Sequence, residues 1–300
     1  MGSAIHDFQQ CLYHVQSSRS IANGILANWK SCMPELPEVQ TVVSTLRPRL
    51  VGRRIVQVTL ARQDIVQPPG TDLPALLKGR SFTDIERRGK RIVITLDDQN
   101  RFFIHLGMTG RLTVGNGNED VLPHTHLTVE LDQSNHQLRF RDPRRFGGVF
   151  WVGKADCAEG MGPEPLLVKP AQLALLLART TRAIKSALLD QSVLAGLGNI
   201  YVDESLFAAA IHPLAPADSL SREQIGRLNR AIKATLRRAL RHRGSTLRDY
   251  RDADGLPGGF QKLHRVYARE SEPCAVCKTK IERIVLGGRS THFCPKCQKL

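Results

Sequence analysis

Four cysteines near the carboxyl end constrain the fold of this sequence more than any other feature. Cys274 and Cys277 form one pair, Cys294 and Cys297 form a second, and 16 residues separate the two pairs. Two residues between paired cysteines allow a tight turn to direct both sulfurs toward one ion, and two such turns complete a tetrahedron. The spacing predicts one structural Zn²⁺ ion around which residues 269–300 fold.

Basic residues are in large excess along the chain. Lys and Arg number 43 against 28 Asp and Glu, which gives a formal net charge of +15 and an isoelectric point of about 9.9. Such an excess attracts polyanions, nucleic acid above all, although an anionic membrane surface or a merely basic enzyme are alternatives. No run of about 18 apolar residues is present, so no membrane span is predicted.

Hydrophobic periodicity predicts the elements in the first half of the chain. Apolar residues recur at helical spacing from Val39 to Leu50, after a Pro- and Glu-containing segment typical of a helix N-terminus. Short segments rich in β-forming residues follow and predict an antiparallel β-sandwich or barrel. These segments are residues 55–60, 91–96, 102–106, 127–131 and 137–140.

The second half of the chain is predicted to be helical, with candidate helices at 172–179, 184–189, 200–210 and 222–241. A Gly- and Pro-rich linker at 160–165 precedes them, and a Gly-rich loop at 244–260 follows. The predicted fold class is therefore α+β. It comprises an N-terminal antiparallel β-sandwich with flanking helices over 33–160, a helical domain over 166–260, and a C-terminal zinc finger over 269–300.

Three features suit contact with a phosphate backbone. Residues 196–198 place two glycines before a helix whose free amides attract phosphate, and Asn199 could cap that helix or donate to phosphate itself. The segment from Arg222 to Arg243 carries eight basic residues against one acidic residue. The stretch between the cysteine pairs is also basic, with Arg289 near its end. A plain helix cap and solvated basic surfaces are the structural alternatives.

The segment after Met33 carries a possible nucleophile. If Met33 were removed, Pro34 would present a free secondary amine, and an α-amino group has a pKa of about 8, below the value of about 10.4 for lysine. Attack on a sugar C1′ atom would give an iminium that favours elimination of the strand phosphate. Glu35 and Glu38 are carboxylates that could move protons beside it. The alternative is an ordinary helix start with dipole-matching acids.

These segments together resemble bacterial formamidopyrimidine-DNA glycosylases over residues 33–300. The sister family of endonuclease VIII shares the architecture but typically lacks a leucine at the position of Leu36, so the purine-directed branch is favoured. The resemblance implies a helix-two-turn-helix architecture for the helical domain. The motifs that carry it are residues 33–39 (MPELPEV), 87–90 (RRGK), 105–110 (HLGMTG), 142–147 (DPRRFG), 162–166 (GPEPL) and 198–201 (GNIY), with the four cysteines.

The resemblance implies four catalytic residues. Pro34 matches the Schiff-base nucleophile, and Glu35 matches the acid/base that protonates the sugar ring oxygen. Lys90 matches the lysine of strand cleavage, and Arg289 matches the arginine of the second elimination. Each assignment places the residue at a position of the family's motif and is an expectation about this chain.

The resemblance also implies six residues that contact DNA. Three of them would fill the gap left by an everted nucleotide, because a supple apolar wedge, a guanidinium and an aromatic ring suit that task. The wedge residues are Met108, Arg144 and Phe146, and the further contacts are His124, Arg182 and Asn199.

The implied function is base-excision repair. The chain would remove oxidised purines, namely 8-oxoguanine and formamidopyrimidines, and would cleave the strand by β,δ-elimination. Its partner would be double-stranded DNA with oxidised bases or abasic sites, with no membrane partner. It would act as a cytoplasmic, nucleoid-associated monomer.

One feature departs from the family pattern, because 32 residues precede Met33. While they are attached, the nitrogen of Pro34 is a tertiary amide that cannot attack. Residues 1–32 are therefore expected to be absent from the active enzyme, as a mis-assigned start or a cleaved leader. The alternatives are a catalytically inactive protein that binds damaged DNA, an endonuclease VIII-like pyrimidine-directed glycosylase, and a zinc-ribbon protein that binds RNA or ribosomes.

Overall fold

The computed structural model of the protein describes residues 33–132 and 135–300. Residues 1–32, which are expected to be absent from the active enzyme, lie outside the described residues. The first helix of the described residues, α1 (Leu36–Leu50), begins two residues after Pro34, with Glu35 as its N-cap residue. Its last turn carries Arg47 and Arg49, whose charges complement the negative end of the helix dipole.

Two β-sheets follow α1 and form the predicted sandwich. The strands are β1 (Ile55–Leu60), β2 (Val66–Gln67), β3 (Phe82–Arg88), β4 (Arg91–Leu96), β5 (Arg101–His105), β6 (Arg111–Asn116), β7 (Thr125–Leu131), β8 (His136–Arg141) and β9 (Gly148–Gly153). One sheet has the order β1-β7-β8-β6 and the other has the order β2-β9-β5-β4-β3. Among the described strands every pair is antiparallel except β2 with β9, where a two-residue edge strand runs parallel to its neighbour.

The core of the sandwich lies between the two sheets and under α1. Phe82 and Phe102 of one sheet and Phe140 of the other are fully buried together with Leu46 of the helix. Burial of large apolar side chains of this kind is the main favourable contribution to folding. The short helix α2 (Leu73–Leu77) covers the sandwich beside β1.

The helical domain comprises four helices around a second core. The helices are α3 (Pro170–Leu177), α4 (Ile184–Leu189), α5 (Asn199–Ala209) and α6 (Arg222–Arg241). Two turns between Asp190 and Gly198 connect α4 to α5. α6 begins with a capping box in which the Ser221 hydroxyl accepts from the Gln224 amide at 3.2 Å and the Gln224 side chain accepts from the Ser221 amide at 2.8 Å.

Each of the two cores includes a residue from the other domain. Leu36, at the start of α1, is fully buried within the helical core, whereas Ala253, from the Gly-rich loop after α6, is buried within the sandwich core. The start of α1 and that loop therefore meet between the sandwich and the helices. No described helix is both long and apolar enough to cross a membrane.

Candidate active site

The carboxylate of Glu35 links the start of α1 to the start of α5. It accepts hydrogen bonds from the backbone amides of Ile200 at 3.0 Å and Tyr201 at 3.4 Å. A methyl carbon at residue 198 would lie 2.2 Å from Glu35 Cδ, so only glycine leaves room for the carboxylate there. The GNIY motif thus provides a cradle for Glu35, with the amides of a helix N-terminus directed at an acidic group.

Burial sets the proton affinity of Glu35. The residue is 3% exposed, and this desolvation raises the pKa of its carboxyl above the ordinary value. The charge of Lys90 and the surrounding amides oppose the rise without cancelling it. A carboxyl with a raised pKa retains its proton closer to neutral pH and is suited to general acid catalysis.

Backbone contacts hold Pro34 and Lys90 in the same region. The Leu36 amide donates to the Gly196 carbonyl at 3.0 Å, which fixes the chain just after Pro34 and Glu35. Gly89, directly before Lys90, has a φ of +58°, and a methyl carbon there would lie 3.3 Å from the Ala195 side chain. The turn that carries Lys90 therefore packs against the loop that precedes α5.

The imidazole of His105 lies beside this turn and is neutral. Burial, followed by the charges of Lys90 and Arg91, lowers the pKa of His105 to about 4. The Gly107 amide donates to His105 Nδ1 at 3.2 Å, which requires that this nitrogen carry no proton. His105 therefore adds no positive charge beside Lys90 at neutral pH.

Glu164 of the linker holds the RRGK turn in place. Its carboxylate accepts from Arg87 at 2.6 and 3.0 Å, from Arg88 at 2.9 Å and from the Gly89 amide at 2.8 Å. Burial acts to raise the pKa of Glu164, but these hydrogen bonds and charges hold it below its ordinary value. The carboxylate thus fixes the turn that carries Lys90.

Glu38, which the sequence indicated as a second possible proton carrier beside Pro34, forms a second buried acidic centre. Its carboxylate accepts from the Glu35 amide at 2.9 Å, from the Ser245 amide at 2.6 Å and from the Tyr201 hydroxyl. Burial and then the charge of Glu35 raise the pKa of Glu38 to about 7. The Tyr250 hydroxyl also donates to the Glu38 carbonyl at 3.2 Å. Glu38 therefore anchors the Gly-rich loop after α6 beside Glu35.

Asp142 joins the two loops that carry Met108, Arg144 and Phe146. Its buried carboxylate accepts from the Thr109 hydroxyl at 2.5 Å, from the Gly147 amide at 2.7 Å and from the Arg144 amide at 3.3 Å. The loops touch backbone to backbone, because a methyl carbon at Gly107 would lie 2.4 Å from the Gly147 nitrogen.

The three wedge candidates are presented at the surface by this pair of loops. Phe146 is 59% exposed, although it is a large apolar side chain. The Arg144 guanidinium lies 5.6 Å from the centre of the Phe146 ring, within cation–π distance. Met108 is partly exposed on the neighbouring loop. Sequence positions 108, 144 and 146 are thus brought together by Asp142.

The other predicted DNA contacts occupy separate positions. His124 is exposed before β7 in the left-handed backbone region, with a φ of 68°. Arg182 precedes α4 and forms an ion pair with Asp190 at 2.9 Å. The Asn199 amide group donates to the Ser290 carbonyl at 2.9 Å. Among the described residues the Asn199 Oδ1 atom is buried without a hydrogen-bond partner.

The zinc ligands converge as predicted. The sulfurs of all four cysteines lie within 4.8 Å of one another, with Cys277 and Cys294 3.4 Å apart and Cys274 and Cys297 4.0 Å apart. Zinc–thiolate bonds of about 2.3 Å in a tetrahedron place sulfurs about 3.8 Å apart, so the set fits one Zn²⁺ ion. The ion would hold the hairpin of β10 (Glu282–Leu286) and β11 (Arg289–Phe293).

Three family models together match most of the chain. The formamidopyrimidine-DNA glycosylase N-terminal domain matches residues 33–149, and the H2TH domain of the same glycosylase matches residues 161–251. The zinc finger found in FPG and IleRS matches residues 271–300. These matches include each of the candidate site residues named above.

Curated relatives and solved structures agree with these models. The formamidopyrimidine-DNA glycosylases of Herpetosiphon aurantiacus and Laribacter hongkongensis are 45% and 43% identical to this chain over 273 residues, which is 89% of the chain and 100% of each relative. The crystal structure of MutM (Fpg) from Thermus thermophilus is 42% identical, with a TM-score of 0.79 over 88% of this chain and 98% of that chain. The complex of Lactococcus lactis Fpg with abasic-site DNA is 33% identical, with a TM-score of 0.82 over 89% and 100%.

Proposed function

The chain belongs to the formamidopyrimidine-DNA glycosylase family, and from that premise we propose that it removes oxidised purines from duplex DNA and then cleaves the strand. The observation that carries the proposal is the buried carboxyl of Glu35. It directly follows Pro34, lies in the amide cradle of α5 and interacts with the charge of Lys90. The residues proposed as nucleophile, proton donor and cation therefore occupy one small region.

The chemistry begins at the nitrogen of Pro34, which must be a free amine. This nitrogen bonds to C1′ while the bond from C1′ to the base breaks, and the base leaves with the proton that the amine gives up. The bond from C1′ to the ring oxygen then opens, and the ring oxygen takes a proton from Glu35. The product is an iminium between Pro34 and C1′, and Glu35 is left as a carboxylate.

The iminium then drives cleavage of the strand. It acidifies the C2′ hydrogens, so loss of one proton expels the phosphate at C3′ in the β-elimination. Loss of a C4′ proton then expels the phosphate at C5′ in the δ-elimination. Lys90 and Arg289 are assigned to these two steps, where a cation stabilises the departing phosphate.

DNA is bound across the two loops that Asp142 joins, the N-terminal region of α5 and the hairpin of β10 and β11. Met108, Arg144 and Phe146 occupy the space of the everted nucleotide, and His124, Arg182 and Asn199 contact the backbone. The net charge of +15 favours association with DNA. Lactococcus lactis Fpg structures with Fapy-dG and abasic-site DNA support duplex DNA with such lesions as the partner. A monomeric state and a cytoplasmic, nucleoid-associated location stay predictions.

Borohydride trapping tests this proposal directly. The chain that begins at Pro34 is incubated with a duplex containing one 8-oxoguanine, and reduction is expected to yield a covalent complex and a nicked strand. The matched control is the chain that retains residues 1–33, in which the Pro34 nitrogen is an amide and trapping is expected to be absent.

Three outcomes would contradict the proposal. Binding to abasic-site DNA without trapping would identify a catalytically inactive binder, and preferential excision of oxidised pyrimidines would identify an endonuclease VIII-like enzyme. Nicking by a chain whose intact mass includes residues 1–33 would refute the proline mechanism.

A further inference from the structure

The outer edge of β11 is held by polar side chains of the helical domain. β11 pairs with β10 along one edge. On its other edge the Ser290 carbonyl accepts from Lys185 at 2.8 Å and from Asn199 at 2.9 Å, and the His292 amide donates to Asp203 at 2.9 Å. These side chains therefore satisfy backbone groups that a third strand would otherwise pair with.

Asp203 is the centre of this arrangement. The Oδ1 atom of Asp203 lies 2.6 Å from Lys185 Nζ, and both side chains are 0% exposed. The other oxygen, Oδ2, accepts from the His292 amide and also lies 3.3 Å from Nδ1 of the His292 ring. A buried ion pair with every oxygen engaged has one favoured arrangement, because any shift would leave a charge unpaired away from water.

Arg289 lies next to this anchor in the sequence. It is the first residue of β11, directly before Ser290, and its side chain is exposed. Gly287 and Gly288, which precede it, both have positive φ values, and a methyl carbon at either would meet open space. Arg289 pairs with Leu286 across this turn, and the next residue of its strand carries the anchored Ser290 carbonyl.

Electrostatics connect the anchor to the catalytic acid. The charge of Lys185 interacts with Asp203, with Glu35 and with Arg289. The ion pair therefore lies within electrostatic range of both the Glu35 carboxyl on α1 and the Arg289 guanidinium on the hairpin. A displacement of β11 would change the position of Arg289 relative to Glu35.

We propose that Asp203 is a positioning residue that holds β11 through the Lys185 ion pair and thereby fixes Arg289 for the second elimination. This inference rests on the proposed function. The first elimination depends on Pro34 and Lys90, which lie outside the hairpin, whereas the second depends on the placement of the Arg289 guanidinium. Misplacement of such a group by about 1 Å can cost up to 10²-fold in rate.

The ratio of δ- to β-elimination product on an abasic-site duplex tests the inference. Asp203→Asn keeps an oxygen for the His292 amide but removes the charge that pairs with Lys185, and is expected to lower that ratio by about tenfold. Borohydride trapping and a content of one zinc per chain should stay unchanged. The matched control is Glu204→Gln, because Glu204 is equally buried on α5 but bonds to residues 265–267, so its product ratio should not change.

A double-mutant cycle separates positioning from general destabilisation. Asp203→Asn is expected to have no further effect on the product ratio in an Arg289→Ala background, because the group that it positions is then absent. If D203N does not fold, the variant K185M/D203L replaces both buried charges by apolar side chains and is expected to lower the ratio in the same way.

Two results would overturn the inference. One is an unchanged product ratio in a folded D203N or K185M/D203L variant that traps normally. The other is a lower product ratio in D203N that is not specific to Arg289. Either the Glu204→Gln variant would show the same lower ratio, or D203N would lower the ratio further in the Arg289→Ala background. Absence of trapping in the unsubstituted chain that begins at Pro34 would instead refute the proposed function itself.

Discussion

The carboxylate of Glu35 accepts a hydrogen bond from the amide of Ile200 at 3.0 Å, across 165 residues of sequence. One side chain thus joins the first residues of the sandwich domain to the first turn of α5. The proton donor of the proposed reaction is therefore placed by the packing of two domains, and Gly198 provides the space for it.

Replacement of Glu35 by glutamine should separate base excision from cleavage at an abasic site. The variant cannot protonate the sugar ring oxygen, and loss of a general acid costs about 10²- to 10⁴-fold in rate. An abasic sugar opens to its aldehyde without that proton, so its cleavage should be much less affected. Single-turnover rates on 8-oxoguanine and abasic duplexes measure both steps.

The exposed Glu119→Gln variant is the control for that comparison, because it makes the same chemical change at the surface. An equal loss of rate on the two substrates in the Glu35 variant would contradict its assignment as the proton donor.

Glu38 should make the stability of the protein depend on pH. Burial and the charge of Glu35 raise its pKa from 4.5 to about 7. The folded state therefore binds the proton more tightly, and this stabilisation is complete below pH 4.5 and is lost as the pH rises through 7. Between pH 5.5 and 8 the loss is about 2 kcal/mol.

Urea unfolding of the wild type and of Glu38→Gln at these two pH values checks the expectation. Glutamine does not titrate, so the stability of the variant should fall by about 2 kcal/mol less than that of the wild type. Parallel losses in the two proteins would show that Glu38 is already ionised at pH 5.5.

Phe146→Ala should impair DNA repair without affecting the fold. The side chain is 59% exposed, so its removal should change the free energy of unfolding by less than about 0.5 kcal/mol. Loss of base stacking, worth about 1–3 kcal/mol, should lower excision from the duplex by about 5- to 160-fold.

Leu175→Ala is the matched control, because Leu175 on α3 is 68% exposed and lies outside the candidate site. It should retain full excision activity. A Phe146 variant with wild-type excision kinetics would exclude the ring from the wedge.

Metal analysis should find one zinc ion per chain, bound by the C-terminal cysteines. Cys294→Ser should lose the ion, and the free energy of unfolding should fall because zinc binding and folding of the segment are coupled. Cys157→Ser should keep it, because Cys157 is buried with Phe103 and Val93 in the sandwich domain. Retention of zinc by the Cys294 variant would argue against a four-thiolate site.

Local patterns in the sequence determined a large part of this fold. The helices at 184–189 and 222–241 and the strands at 55–60 and 91–96 have the predicted bounds, because apolar periodicity follows from which face is buried. The four zinc ligands were predicted equally well, because the spacing of the cysteines is a local property of the sequence. β3 was missed because its charged residues include Arg87, which turns inward to meet Glu164.

Tertiary structure alone decided how the site is assembled. The contacts of Glu38 with Ser245, of Asp142 with Thr109 and of Lys185 with Asp203 join residues far apart in the sequence. Two adjacent acids in the largely apolar helix α5 were the available signal for Asp203. Such pairs leave no periodic trace, because a buried polar group is satisfied by whatever partner the packing of distant elements brings to it.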